Sequence, residues 1–571
     1  MRAFRVERSF AAALLMLAAV PAFAQTGAPV ELLPPAASAV PHSSLPAPMP
    51  AATDDGDIQA EPLAPVDSSW IGTLGAADHA LPRDMWAGTP RGLVDAALPL
   101  LQPTTSPVLQ DLARRLLLSD AVAPPGQDPA DGPSLTDRRL DRLLALGRID
   151  GAPLIDALPQ NNASEGFDRD AVELRIANND RAGACRTVTD RVGRYRDSWW
   201  DRALVACQAL TGAYDQATLG MSAMRDQKAA RDPVFEALID DILGHRRKLE
   251  RLPDPTPLRM ALLAAAKLPL PRGVLAAAGP AALAVWATSD KVPIAARLLA
   301  GEKAEALGAL PPAGLGLLYG SVAAKPGEPA ALLKSGKLAD DPRSRAILYN
   351  LARISDPGAK RVAALAALVA DARRRGTLVA VARLIAPLVV ELQPTPEFQS
   401  FAGDAARVLL AARDPDRAGP WVDLAGRAEL HVLAAFARES GGGDDAPPPL
   451  ADAIAALTAL DAAAAPRQAV LLVTLAAALG EPLGGVDGAG LLRPPHQGEL
   501  PNGALWLDQR QAAKARRVGE TVLTTLLIAA SGDRLSAEPI VLAQAIAGLE
   551  AVGLGDDARA LAVEAALDAG I

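Results

Sequence analysis

The sequence predicts an all-α protein built as an α-solenoid, that is, a stack of short antiparallel helix pairs. Three observations support this fold class. Alanine and leucine, which have high helix propensity, dominate a chain in which only 3% of residues are aromatic. From residue 67 onward, apolar residues recur every three or four positions, the spacing of an amphipathic helix. Glycine, proline and aspartate separate these segments at short intervals, and the alternating pattern of a strand is missing.

The N-terminal segment 1–24 has the three parts of a secretory signal peptide. Three arginines give a basic start, positions 9–20 form a short apolar core, and Ala-Phe-Ala precedes the expected cleavage between Ala24 and Gln25. This core is too short to cross a membrane, because a spanning helix needs about 20 residues. The most apolar later stretch, 378–390, is also too short and contains Arg383. We therefore expect an exported protein, periplasmic or secreted, with no membrane span in the mature chain.

The segment 25–66 is rich in proline and alanine, with serine and aspartate between them. Such a segment buries too little apolar surface to offset the entropy lost on ordering. We expect a disordered linker here. It could hold the folded part away from another structure, or it could be a linker without a role of its own.

Two helical-repeat domains are expected to follow the linker, at residues 67–439 and 450–571. The stretch between them, 440–449, combines glycine, aspartate and proline and predicts a flexible loop. A second irregular stretch, 480–503, is either a functional loop or an insertion tolerated at a bend of the solenoid.

Two short motifs predict the turns within helix pairs. Gly212, Tyr214 and Ala217 follow the spacing G-x-Y-x-x-A, and Gly553 and Ala558 repeat the Gly and Ala positions near the C-terminal end. Glycine allows the chain to turn, and the small alanine allows two helices to approach closely.

This turn resembles the one between the two helices of a tetratricopeptide (TPR) repeat, so the fold is expected to be TPR-like. One tetratricopeptide period earlier, Asn178 and Gly183 are the expected equivalents of Gly212 and Ala217. The segment 184–217, "ACRTVTDRV…WWDRALVACQALTGAYDQA", also resembles uncharacterised Ala-rich exported proteins of alphaproteobacteria. Neither resemblance implies a reaction.

The chain has two cysteines, Cys185 and Cys207, in consecutive predicted helices on either side of a short turn. Consecutive helices joined in this way are usually antiparallel, so the two cysteines are expected at similar heights. Export favours a structural disulfide. Free buried thiols are a second possibility, and redox or metal chemistry is a third, although the spacing is too wide for a C-x-x-C motif.

Charge and motifs exclude several classes of function. The net charge is −9, and without the predicted signal peptide about −11, which disfavours binding to nucleic acid or to anionic lipid. No phosphate-binding loop, dinucleotide fingerprint, zinc-protease motif or nucleophile elbow is present. No two of the five histidines have the spacing of paired ligands on a helix, those five being His42, His79, His245, His431 and His496. We expect no catalytic residues, no cofactor and no metal site.

The expected function is therefore that of a non-enzymatic scaffold or adaptor that binds a protein or peptide partner in the cell envelope, because solenoids expose long binding surfaces. The alternative is a peptidoglycan-associated factor or a regulator of cell-wall enzymes. The helical pattern is similar to the non-catalytic region of soluble lytic transglycosylases, but the catalytic glutamate domain of those enzymes is not found in this sequence.

Overall fold

The computed structural model describes most of the chain after the predicted linker. The described residues are 67, 69–129, 132–158, 163–226, 231–335, 338, 340–438, 450–459, 464–486, 488, 491 and 501–571. They belong to one compact unit. The predicted signal peptide with Ala24 and Gln25, the linker 25–66 and the loop 440–449 lie outside them, so those assignments stay predictions.

The all-α prediction is confirmed: the described part of the chain forms 27 α-helices, and neighbouring helices pack in pairs. The first nine are α1 (Arg91–Ala97), α2 (Pro107–Leu118), α3 (Leu135–Ala145), α4 (Ala152–Ala157), α5 (Glu165–Ala177), α6 (Arg181–Arg191), α7 (Ser198–Thr211), α8 (Tyr214–Asp226) and α9 (Pro233–Ile242). The next nine are α10 (Pro257–Ala266), α11 (Val274–Ala277), α12 (Pro280–Thr288), α13 (Ile294–Ala306), α14 (Pro312–Gly320), α15 (Glu328–Ser335), α16 (Pro342–Ile354), α17 (Ala359–Arg375) and α18 (Leu378–Val390). The last nine are α19 (Gln399–Ala411), α20 (Pro415–Ala425), α21 (Ala428–Phe436), α22 (Leu450–Thr458), α23 (Ala465–Ala478), α24 (Gly503–Lys514), α25 (Val518–Ala529), α26 (Pro539–Ala551) and α27 (Gly555–Asp568).

Other regular structure in these residues is minor. Two very short strands, β1 (Ala530–Ser531) and β2 (Arg534–Leu535), pair antiparallel. Short 3₁₀ helices cover Ala76–Asp78, Leu98–Leu100, Ile149–Gly151 and Pro396–Phe398.

Many helices begin with a polar capping residue followed by proline. The Ser106 side chain accepts a hydrogen bond from the Leu109 N–H, and Pro107 is the first residue of α2. Thr256 and Pro257 begin α10 in the same way. The cap satisfies a backbone donor that has no partner within the helix, and proline has no such donor to satisfy.

One turn type recurs seven times in the described residues and explains the pairing. A residue with positive φ is followed by one cap residue, and the next helix starts two positions after the positive-φ residue. The seven residues are Asn179, Gly212, Gly376, Arg413, Gly426, Arg516 and Gly553. The fifth residue after them packs between the helices, and five of these are fully buried: Ala184, Ala217, Ala418, Thr521 and Ala558.

The turn at Asn179 corrects the predicted repeat register. Asn179 has φ 60°, and Ala184 is the fully buried small residue of that turn. The equivalents of Gly212 and Ala217 are therefore Asn179 and Ala184, each one position after the expected Asn178 and Gly183. The prediction was wrong by one position because the turns at Asn179 and Gly212 are 33 positions apart, one fewer than the tetratricopeptide period of 34. Asparagine tolerates the left-handed conformation and takes the place of glycine here.

Helix α27, the last helix of the described residues, packs against α2 and against helices in the middle of the chain. Helix α27 contacts α2, α18, α19 and α21, and α2 also contacts α25. In an open solenoid each repeat contacts only its neighbours. The contact between α2 and α27 is therefore an added long-range feature, which we call the closure contact.

Candidate functional site

Two adjacent cavities lie beside the closure contact. One, of about 520 Å³, extends along the first turn of α27, and the other, of about 320 Å³, extends towards α18. His79, Asp111 and Arg413 line both, so we treat them as one space, the closure cleft. Its charged side chains are those of His79, Asp111, Arg115, Arg383, Arg413, Asp556, Asp557, Arg559 and Glu564.

Helix α2 places two of these side chains in the cleft. Its apolar residues, among them Leu109, Leu112 and Leu116, are fully buried. Asp111 and Arg115 are one helical turn apart on another face, and their side chains are 3.1 Å apart. The amphipathic pattern of α2 thus directs this pair to the cleft.

Asp557 joins the two ends of the chain. Its carboxylate accepts a hydrogen bond from the Arg115 guanidinium, and both side chains are buried. The other carboxylate oxygen of Asp557, Oδ1, is 3.6 Å from the Arg413 guanidinium, whose side chain is 43% exposed. Because a buried charge needs a partner, this shared carboxylate holds α27 against α2 and against the turn after α19.

Arg383 differs from the other arginines of the cleft. It projects from α18 into the smaller cavity and is half-buried. It makes no hydrogen bond or ion pair with a residue that the structure describes. Apolar residues of α18, α19 and α27 form the wall around it: Val379, Leu410, Ala411, Ala560 and Val563. An arginine in this setting has donors available for a ligand.

Glu564 also lines the smaller cavity and is 3% exposed. One carboxyl oxygen, Oε2, accepts a hydrogen bond from the Val108 N–H at 3.1 Å, near the start of α2. The other, Oε1, has no hydrogen-bond partner among the described residues. Burial raises the pKa of Glu564 to about 8, although a hydrogen bond from Ser106 opposes this shift. The carboxyl group is therefore mostly protonated at neutral pH.

Most residues singled out in the sequence lie outside the cleft. The sulfur atoms of Cys185 and Cys207 are at bonding distance, with Cα atoms 5.5 Å apart, and join α6 to α7. Gly212 has φ 86° and ends α7, Tyr214 is 52% exposed, and Ala217 is buried. Gly553, with φ 81°, lines the larger cavity, and Ala558 is buried behind it.

Apart from Gly553, the residues that line the cleft are not predicted as site residues from the sequence. Arg383 had one available signal, since it is the only charged residue in the most apolar stretch, 378–390. Asp557 and Glu564 had none, because acids on an amphipathic helix usually face solvent. Their partners on α2 are more than 400 positions away.

The cleft presents side chains that could contact a ligand. Guanidinium groups offer charge-assisted hydrogen bonds, and the apolar wall offers surface to bury. The described residues contain no group of three or more His, Cys, Asp or Glu side chains that could hold a metal ion.

Comparisons with known proteins name no relative. No protein-family model matches the chain, and no curated protein and no solved structure matches it. Among the helices in the described part of the chain, none has both the length and the apolar character required to cross a membrane.

Proposed function

We propose that this protein is an exported, non-enzymatic helical scaffold of tetratricopeptide-like type that binds a peptide segment of a partner protein in the closure cleft. The observation that carries the proposal is Arg383, an arginine without an ion-pair partner among the described residues, in a cavity of about 320 Å³. The resemblance to Ala-rich exported proteins of alphaproteobacteria is in keeping with this function.

The layout of the cleft supports an extended peptide. Each cavity is in the range of ligand sites, which is about 300–1,000 Å³, and the two share the lining residues His79, Asp111 and Arg413. Two adjacent cavities suit an extended segment whose side chains occupy both. The mixture of apolar wall and arginine is also typical of peptide recognition.

Two features support export. The segment 1–24 has the pattern of a signal peptide. The two cysteines are at disulfide distance, and such bonds persist in oxidising compartments. Sequencing the N-terminus of the protein recovered from its native compartment tests this part, with Gln25 as the expected first residue.

Selection from a random peptide library against the immobilised protein tests the cleft. We expect enriched peptides whose binding is lost in Ala412→Trp, because Ala412 lines the smaller cavity and tryptophan would fill it. Ala223→Trp is the matched control, since Ala223 is exposed on α8 and outside the cleft. Peptides that bind Ala412→Trp as well as the unsubstituted protein would contradict the proposal.

The alternative, a peptidoglycan-associated factor, is separated in the same experiment. Purified peptidoglycan fragments are added as competitors and as direct ligands. Binding of these fragments in the cleft, without selection of any peptide, would favour the alternative over the adaptor.

A further inference from the structure

We propose that the partner segment is acidic and that Arg383 and Arg413 bind one of its carboxylates in the smaller cavity of the closure cleft. This inference rests on the proposed function and adds the chemistry of the ligand. The inference follows from the ion pairs of the cleft, because some of its charged side chains already have a partner and others do not.

Two acidic residues, Asp111 and Glu564, line the smaller cavity, and neither forms an ion pair with Arg383. Asp111 is paired with Arg115 on the same helix. Glu564 accepts the Val108 N–H, and its raised pKa leaves it mostly uncharged at neutral pH. Arg383 has no ion-pair partner among the described residues, and no ionised carboxylate of this cavity is left to supply one.

Glu305 on α13 is an acid outside this cavity whose charge interacts with that of Arg383. Burial raises the pKa of Glu305 to about 7, although the charge of Arg383 opposes this shift. The two side chains form no ion pair, and Glu305 lines a separate cavity that Arg383 does not line. This acid therefore leaves the guanidinium donors of Arg383 open to a ligand.

Arg413 is a second arginine that lines the smaller cavity. It contacts only one oxygen of Asp557, at 3.6 Å, while Arg115 binds the other oxygen of that carboxylate. Most of the Arg413 donors therefore remain free to bind a ligand.

The charges of the larger cavity are balanced, so they do not favour an anionic group there. Its lining holds three aspartates and three arginines, namely Asp111, Asp556, Asp557, Arg115, Arg413 and Arg559. The smaller cavity, in contrast, holds Arg383, which has no ion-pair partner among the described residues. The expected ligand therefore places its carboxylate between Arg383 and Arg413 in the smaller cavity.

The test measures the fluorescence anisotropy of labelled peptides with the purified full chain. The first probe is an amidated peptide in which Glu and Ala alternate, and the second has Gln in place of Glu. A third, with Gln and a free C-terminal carboxylate, distinguishes a side-chain carboxylate from a terminal one. We expect one of the two carboxylate probes to bind at least ~10-fold more tightly than the amidated Gln probe, as charge-assisted hydrogen bonds require.

Variants assign this preference to the two arginines. Arg383→Gln and Arg413→Gln are each expected to weaken binding of the carboxylate probe about 10-fold and to leave the amidated Gln probe unchanged. Arg417→Gln is the matched control, because Arg417 belongs to the same turn region but is 63% exposed, pairs with Asp414 and does not line the cleft. Equal binding of all probes, or no effect of the arginine variants, would overturn the inference.

These experiments distinguish a failure of the proposed peptide binding from a failure of the acidic-ligand inference. If library-selected peptides lose binding in Ala412→Trp but not in Arg383→Gln, the cleft binds peptides and only the acidic ligand is wrong. If neither substitution matters, the proposed function fails as well.

Discussion

The pair α6–α7 and the pair α2–α27 are both held by one strong link, but the two links differ in kind and range. Cys185 and Cys207 are 22 positions apart and joined covalently. Arg115 and Asp557 are 442 positions apart and joined by a buried ion pair. The first link strengthens a pair of consecutive helices, whereas the second joins two helices that are far apart in the sequence.

This difference predicts different effects of the two links on stability and on the proposed binding. The disulfide lies in a local helix pair without a large cavity beside it among those described. The closure contact borders the cleft, and its charged side chains line the wall. We therefore expect changes to the closure contact to affect both folding and binding, and changes to the disulfide to affect folding alone.

Breaking the closure contact is expected to have the largest effect on the free energy of unfolding. Asp557→Ala leaves Arg115 buried without its main partner, which should lower the free energy of unfolding by about 3–5 kcal/mol. Urea unfolding followed by circular dichroism measures this. Asp423→Ala is the control, because Asp423 is 76% exposed, and its effect should stay below about 0.5 kcal/mol. Equal effects of the two substitutions would mean that the α27 carboxylate does not hold the ends together.

Removing the disulfide is expected to have the second-largest effect on stability. Replacing both cysteines by alanine should lower the free energy of unfolding by about 3 kcal/mol, since a bond across 22 positions restricts the unfolded chain. The same unfolding measurement with reducing agent checks the result on the unsubstituted protein. Binding of the carboxylate probe at low denaturant should not change. A loss of binding on reduction would show that the two regions are coupled after all.

The pH dependence of the free energy of unfolding also distinguishes the closure contact from the disulfide region. Because the pKa of Glu564 is raised from 4.5 to about 8, the folded state holds this proton more tightly than the unfolded chain does. The stabilisation is complete below about pH 4.5 and is lost as the pH rises through about 8, at up to about 1.4 kcal/mol per pH unit. In Glu564→Gln this part of the slope should vanish, while the cysteine variant should keep it. Parallel stability curves for Glu564→Gln and the unsubstituted protein would refute this account of Glu564.

The smallest expected effect concerns a turn of the disulfide region. Gly212→Ala should cost about 1 kcal/mol, because an added Cβ is strained at φ 86° although no atom lies within 4 Å of it. Gly193→Ala is the matched control. Gly193 also has open space around it and lacks a positive φ, so alanine there should be neutral or slightly stabilising. Thermal unfolding of both variants measures the difference.

The contrast between local and long-range contacts explains what the sequence could and could not predict. Helix content follows from local propensity and periodicity, and the turns at Gly212 and Gly553 follow from glycine and alanine at short spacing. The turns at Arg413 and Arg516 were missed because arginine does not indicate a left-handed conformation. The other turns escaped the motif for different reasons. Asn179 replaces the glycine, and the turns at Gly376 and Gly426 have Val381 and His431 where the motif has alanine. The repeat therefore looked degenerate in the middle of the chain.

The cleft could not be predicted because its residues meet only through long-range packing. Asp111 and Arg115 look like an ordinary surface pair on a helix, and Asp557 looks like a helix-start acid. No local pattern shows that these helices face each other. Only the lone Arg383 in an apolar stretch gave a local sign, and it was noted as an argument against a membrane span rather than as a binding residue.

A double-mutant cycle between Arg115 and Asp557 tests the central claim, that α2 and α27 meet, most directly. The free energies of unfolding of Arg115→Ala, Asp557→Ala and the double variant are compared with that of the unsubstituted protein. If α2 and α27 meet, we expect a coupling energy of about 1–3 kcal/mol between residues 442 positions apart. Additive effects, within about 0.5 kcal/mol, would contradict the closure contact and with it the cleft.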